Sequence, residues 1–336
     1  MFDIMNDRNG MVGITTTIPI EVPFSAGKRI CDLNNLFISS SNPSQFSDLA
    51  ILEGYPQNIC QWIKGLFGVA IKRDDIDPII AVTQGDCSNT NALMETLEYH
   101  NKNIIPFAFP YDHSYHSLNF EISKLESIFN VNRKMVEQAR LYLDDIRYLA
   151  HEIDKATYMD NTVTGKENHI YLVSTSDFKS DPEKYSADAK EFIKEIKQRK
   201  PINSKIRLAY LGVPPIFPDI YTYLESLGAR VVYNQTQYDF SMPYKSEDIV
   251  YRYLEYTYPY SIFYRLKKVK EEINRRNIDG IIEYVQTFCF RQIEDIILRN
   301  ELKGYPILTI EGGDSINLDE RTKLRLQAFV EMLQSN

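Results

Sequence analysis

The sequence predicts an α/β protein: two parallel-sheet lobes, residues 1–116 and 203–336, joined by a helical segment, residues 117–202. Three observations carry this prediction. Up to about residue 115, short apolar runs punctuated by Gly, Pro and Asn alternate with helix-like stretches; a purely helical texture follows; and the alternation returns from Lys205. Strands alternating with helices imply a parallel sheet covered on both faces. At 336 residues the chain is too long for one small core and suits two or three packed α/β units.

In the first region the apolar runs Met11–Thr15, Gly68–Ile71, Ile79–Thr83 and Ile104–Ala108 read as buried strands, and Asn89–Tyr99 as a helix. The middle region predicts two consecutive helices. One carries Leu118, Ile122, Leu125, Ile128 and Phe129; the other, starting after Asn130–Asn132 and running to about Asp154, carries Val136, Ala139, Leu143, Ile146 and Leu149. Asp160–Glu167 reads as a polar loop and Asp181–Arg199 as a helix stopped by Pro201. In the last region Ile206–Leu211, Arg230–Tyr233, Gly280–Tyr284 and Ile307–Ile310 are expected as strands. Ile220–Leu227, Ser261–Arg276, Arg291–Arg299 and Arg321–Leu333 are expected as helices, with Gly228 closing the first of these. No internal repeat and no low-complexity tract is apparent.

Composition narrows the function. Hydrophobic residues at 43% and charged residues at 25% exclude wholesale disorder. A net charge of -8 argues against a nucleic-acid partner, which needs a basic face to replace phosphate counterions. No run reaches the roughly 18 apolar residues of a membrane helix. The stretch MFDIMNDRNG has the texture of neither a signal nor a transit peptide, so a cytoplasmic protein is expected. There is no GxGxxG and no GxxxxGK[ST], so neither the usual dinucleotide fold nor a P-loop has support. His100, His113, His116 and His151 accompany no Ser or Cys nucleophile motif and read as ordinary surface or satisfied histidines.

The four cysteines, Cys31, Cys60, Cys87 and Cys289, form no CxxC pair and no zinc-type spacing; by spacing alone they are small buried hydrophobes. Position changes this for three of them. Cys87 and Cys289 each follow an expected strand and precede an expected helix, at the rim where open α/β sheets bind ligands. Helix amino termini there favour the thiolate. Cys60 lies in EGYPQNICQWIKG, a turn-to-helix segment holding the chain's one tryptophan. Cys31, ahead of Asp32-Leu33-Asn34-Asn35, reads as packing. Three thiolates meeting in the cleft between lobes suit an iron–sulfur cluster better than zinc, because each iron of a cubane needs one thiolate only and the donors can come from distant segments.

Several stretches in collinear order carry a family resemblance. They are GITTTIPIEVPFSAGKRICDLNN (13–35), EGYPQNICQWIKGLFG (53–68), GDCSNTNALMETLE (85–98), PYDHS (110–114), GVPPI (212–216), YTYPY (256–260), IDGIIEYVQTFCFRQIEDIILR (278–299) and RTKLRLQAFVEML (321–333). From about Val12 to Leu333 the chain resembles the 2-hydroxyacyl-CoA dehydratase subunits, in the superfamily that also holds benzoyl-CoA reductase subunits and double-cubane cluster proteins. The resemblance implies two lobes of Rossmann-like or flavodoxin-like type, with a [4Fe-4S] cluster in the cleft held by Cys60, Cys87 and Cys289. It also implies an ATP-hydrolysing iron–sulfur activator that delivers one electron. The thioester carbonyl then becomes a ketyl radical, which expels the neighbouring hydroxyl as an enoyl-CoA forms. The expected partners are that activator, a CoA thioester, and a second copy or a related second subunit.

Three thiolates on a cubane leave one iron open, the analogue of a catalytic metal's free position. Glu53, seven residues before Cys60, is a candidate proton donor beside it or, alternatively, a cap for the turn at Gly54. A double cubane needs about six thiolates, so four cysteines favour a single cluster per chain. Glu283 stands where histidine is expected in close relatives. Two other functions compete: an activator-dependent reductase of another small molecule, with a narrow closed pocket, and a non-catalytic electron carrier using Cys31 as fourth ligand.

Overall fold

Among the described residues, eight strands build two separate four-stranded sheets, both wholly parallel. The computed structural model describes residues 10–313 and 315–335; residues 1–9, read above for targeting signals, lie outside the described residues. The first sheet comprises β1 (Met11–Ile14), β2 (Arg29–Asp32), β3 (Ile76–Gln84) and β4 (Ile104–Ala108), in the order β2-β1-β3-β4. The second comprises β5 (Ile206–Gly212), β6 (Ala229–Asn234), β7 (Gly280–Gln286) and β8 (Ile307–Gly312), in the order β6-β5-β7-β8. The predicted class holds: two parallel-sheet lobes, each with helices on its faces.

The two orders are the same, so the lobes repeat each other in fold although no internal repeat is apparent in the sequence. The repetition is one of topology, and one short motif marks it. In Gln84-Gly85-Asp86-Cys87 and in Gln286-Thr287-Phe288-Cys289, the third strand of a lobe ends on glutamine, and cysteine follows three residues later. Sheets of the same handed crossover need only apolar strands and short turns, so their sequences can diverge while the connections persist.

Gly68–Ile71 is not a strand but part of helix Gln61–Lys72. An apolar run of four cannot separate a strand from a buried helix. Here Gly65 and Gly68 share a helix face, and neighbours press on both. A Cβ on Gly65 would come within 2.5 Å of the Phe37 ring, and one on Gly68 would overlap the Phe46 carbonyl. Strand β2, four residues at a sheet edge, was not expected as a strand.

The two connecting helices are Tyr115–Ile128 and Arg133–Lys155. Ser114 and Asn132 cap them, accepting hydrogen bonds from the Ser117 and Met135 amides. The supposed loop at Asp160–Glu167 runs into an unforeseen helix, Gly165–Val173. Its capping box, Thr164 with Glu167, was a legible signal.

The segment after β6 leaves its own sheet. Helices Gln235–Phe240 and Ile249–Glu255 bring Phe240, Ile249, Val250, Tyr253 and Tyr256 into one core with Val12, Ile14, Phe107 and Phe109 of the first lobe. Asp239 anchors this excursion: its Oδ2 accepts from Gln235 Nε2 at 2.9 Å and from Thr257 Oγ1 at 2.8 Å. Burial raises its carboxyl from 3.8 to about 6, against the opposing pull of Lys268 and Arg291. The unfolded chain therefore ionises first, and stability contributed by the neutral acid is full below pH 4 and lost as pH rises to about 6. That amounts to about 3 kcal/mol. Asp239→Asn keeps an accepting oxygen and cannot ionise. Thermal melts from pH 4 to 7 should show a flatter profile in this variant than in wild type; parallel profiles would refute the assignment.

Candidate functional site

The carboxyl ends of both sheets open onto one shared cavity of about 100 Å³. Thr15 and Thr16 follow β1, Asp32 closes β2, Asp86 follows β3, Val213 follows β5, and Gln286 closes β7; all of them line it. This is the rim at which such sheets take ligands.

Cys60, Cys87 and Cys289 all line this cavity. Each stands at the start of a helix of 11 or 12 residues: Gln61–Lys72, Asn89–Tyr99 and Arg291–Glu301. None of the three helices has a side-chain cap. The helix-start amides of Trp62 and Ile63 at Cys60, of Asn89 at Cys87 and of Arg291 at Cys289 instead pull the thiols' pKa down, against the larger effect of burial. One link between lobes sets the arrangement: the Gln61 amide, directly after Cys60, donates to Gln286 Oε1 at 3.1 Å. The backbone takes left-handed turns at Gly85 (φ 97°) and at Phe288 (φ 59°), just ahead of Cys87 and Cys289. A phenylalanine in that conformation is strained, and such strain concentrates at functional sites.

Burial raises all three thiols, Cys60 to about 12 and Cys289 to about 11; neighbouring thiols add to the rise at those two, and Asp86 at Cys87. At neutral pH they are protonated, so a metal centre bound here displaces protons as it binds. Arg291, 3% exposed, also lines the cavity, with its guanidinium over the Tyr258 ring at 4.7 Å. Three sulfurs, helix-start amides beside them and a buried cation form a setting suited to an anionic centre.

Among the described residues no three His, Cys, Asp or Glu side chains are grouped closely enough to hold one metal ion. A single zinc needs all its donors within about 2.3 Å of one point. In a cubane each thiolate binds its own iron, so the donors stand further apart. Three cysteines on one cavity wall are donors of the type a cluster takes.

Cys31 is 1% exposed within β2, packs in the core with Leu33 and Phe37, and does not line the cavity. Glu53 is also outside the lining. It closes helix Ser44–Leu52, and its Oε2 lies 3.4 Å from His100 Nε2. Glu283 is 1% exposed in β7, on the strand face that Ile281 presents to the helices. Burial, reinforced by Asp295 and Glu294, holds it neutral, well above the usual carboxyl range. His113 and His151 hydrogen-bond to backbone carbonyls, of Leu254 and Ser241, both at 2.8 Å. The histidine that does line the cavity is His169, which the sequence reading passed over, because nothing local marks it.

Two like parallel-sheet lobes with a shared, thiol-lined rim define the class of two-lobed α/β proteins that take a ligand at the carboxyl ends of their strands. The chain belongs to the family of the 2-hydroxyglutaryl-CoA dehydratase D-component, whose family model matches residues 15–333, nearly the whole chain. No curated protein matches it. Among the described residues, no helix is long and apolar enough to cross a membrane.

Proposed function

We propose that the chain is a subunit of an iron–sulfur dehydratase that removes water from a 2-hydroxyacyl-CoA, with Cys60, Cys87 and Cys289 as the ligands of one [4Fe-4S] cluster. The observation that carries this reading is the meeting of three uncapped, cysteine-bearing helix starts at one cavity, in a chain of this family. When bound, the cluster supplies a low-potential electron and an iron position free of protein ligands. The chain's residues do the rest. The helix-start amides favour the thiolates, Arg291 offsets their negative charge, and Trp62, Phe288 and Phe290 wall the cavity with apolar surface. The partners in this reading are an ATP-hydrolysing iron–sulfur activator and a second copy or related second subunit.

A second reading draws on the cavity's size. About 100 Å³ is far below the 300–1,000 Å³ of sites that engulf drug-sized ligands, so the nucleotide of a CoA thioester stays outside it. That observation also suits an activator-dependent reductase of a small molecule. Protein purified without air should carry about four irons and four sulfides per chain. Given activator, ATP and reductant, it should dehydrate 2-hydroxyglutaryl-CoA or a related 2-hydroxyacyl-CoA. Iron-free anaerobic protein with tightly held zinc would overturn the cluster. Cluster-bearing protein that turns over small molecules but no CoA thioester would select the reductase.

A further inference from the structure

We propose that His169 donates a hydrogen bond from Nε2 to the carbonyl oxygen of the bound thioester, an inference that rests on the dehydratase reading. Among the described residues His169 is the one histidine in the cavity wall, and several independent contacts fix the place of its helix. Its helix, Gly165–Val173, starts at the Thr164–Glu167 capping box and lies hard on β6, where a Cβ on Gly165 would come within 2.9 Å of the Val231 carbonyl. The preceding residue, Asn168, is fully buried. Its Nδ2 donates to Asp154 Oδ1 at 2.9 Å, and its Oδ1 accepts from Asn234 Nδ2 at 2.8 Å. These bonds pin the helix to the end of β6 and to the connecting helix.

The ring's proton is placed by a second residue. The Gln237 side-chain amide lies 2.7 Å from Nδ1; with its nitrogen on that side it donates to Nδ1, and the single proton of a neutral imidazole is then on Nε2. Among the described residues no hydrogen bond engages Nε2. The ring rests against Tyr221, with centroids 5.5 Å apart. Burial, helped by Lys166, lowers the imidazole to about 4, so it stays neutral across physiological pH. A neutral imidazole is a suitable donor to an oxygen that gains negative charge: it stabilises the charge without first surrendering a proton. When one electron from the activator enters the C=O bond, charge builds on that oxygen. The Nε2–H bond strengthens as it does so, and the hydroxyl leaves in a later step. His169 is therefore assigned as an electrophile, not as the base that takes the proton from the β-carbon.

The test reads the carbonyl directly. 2-Hydroxyglutaryl-CoA labelled with ¹³C at the thioester carbon is bound to the anaerobic holoenzyme without activator, and isotope-edited infrared difference spectra report its C=O stretch. In wild type the band should fall below its position in water. His169→Phe keeps a ring against Tyr221 but has no donor; the band should return to the aqueous position with iron content unchanged. His169→Gln offers an amide N–H at the place of Nε2 and should keep most of the shift. Under turnover His169→Phe should lose about 100-fold or more in kcat with little change in KM, as for loss of one oxyanion donor. A His169→Phe band identical to wild type overturns the assignment and leaves the dehydratase reading intact. Wild-type holoenzyme that binds no CoA thioester at all overturns both. Should His169→Phe fail to fold, a His169→Gln variant that folds and shows an aqueous band overturns the assignment by itself.

Discussion

Arg276→Met should destabilise the protein by about 3–5 kcal/mol, the cost of stripping one partner from a buried ion pair. Arg276 is fully buried just beyond helix Ile262–Arg275. It grips Asp154 with two bonds, Nη1–Oδ1 at 2.9 Å and Nη2–Oδ2 at 2.7 Å, while Nε meets Glu272 at 2.7 Å and Nη1 also donates to the Val232 carbonyl at 2.8 Å. The guanidinium lies over Tyr158 at 4.4 Å and over Tyr233 and Tyr238, each at 4.8 Å. Asp154 belongs to helix Arg133–Lys155 and Val232 to β6, so one side chain clamps the connecting helix to the second sheet. Methionine fills the volume but leaves the Asp154 carboxylate buried with its strongest partner gone. Urea denaturation should show the loss, and Arg276→Met combined with Asp154→Asn should recover part of it, because the orphaned charge is then absent. A single variant that loses less than about 1 kcal/mol would show that this clamp does not hold the sheets and helices together.

Cys87→Ala should abolish cluster binding and activity, whereas Cys31→Ala should retain both. The contrast comes from placement. Cys87 lines the cavity at the start of its helix, while Cys31 is walled into the core of the first lobe. With one of three ligands missing, a cubane corner has no protein bond to replace it. Losing the buried Cys31 thiol removes packing alone, a cost of about 1–2 kcal/mol. Iron and sulfide per chain, measured after anaerobic purification beside circular dichroism, separate loss of the centre from loss of fold. If Cys31→Ala loses iron as fully as Cys87→Ala, the three-ligand assignment is wrong. Cys60→Ala and Cys289→Ala should match Cys87→Ala.

Much of this molecule was readable along the chain. Asn89–Tyr99 and Ile104–Ala108 were predicted with their observed limits, because each carries one periodicity bounded by turn residues. Gly68–Ile71 was misread because its helical partners, Ile63, Leu66 and Phe67, lie upstream of the run, and because contacts with Phe37 and Phe46 explain its glycines. The repeated topology was invisible, since two sheets can share connections while sharing only Gln-x-x-Cys.

The residue order by itself determined the class of fold, the parallel strands and the strand-to-helix placing of Cys87 and Cys289. Those features depend on local periodicity and on turn chemistry, which neighbouring residues express together. Only the folded chain decided that Cys60 shares their cavity, that Cys31 and Glu53 stand away from it, and that His169 faces into it. These depend on contacts between distant segments, such as Gln61 to Gln286 across 225 residues, and no local pattern encodes which distant segments will meet.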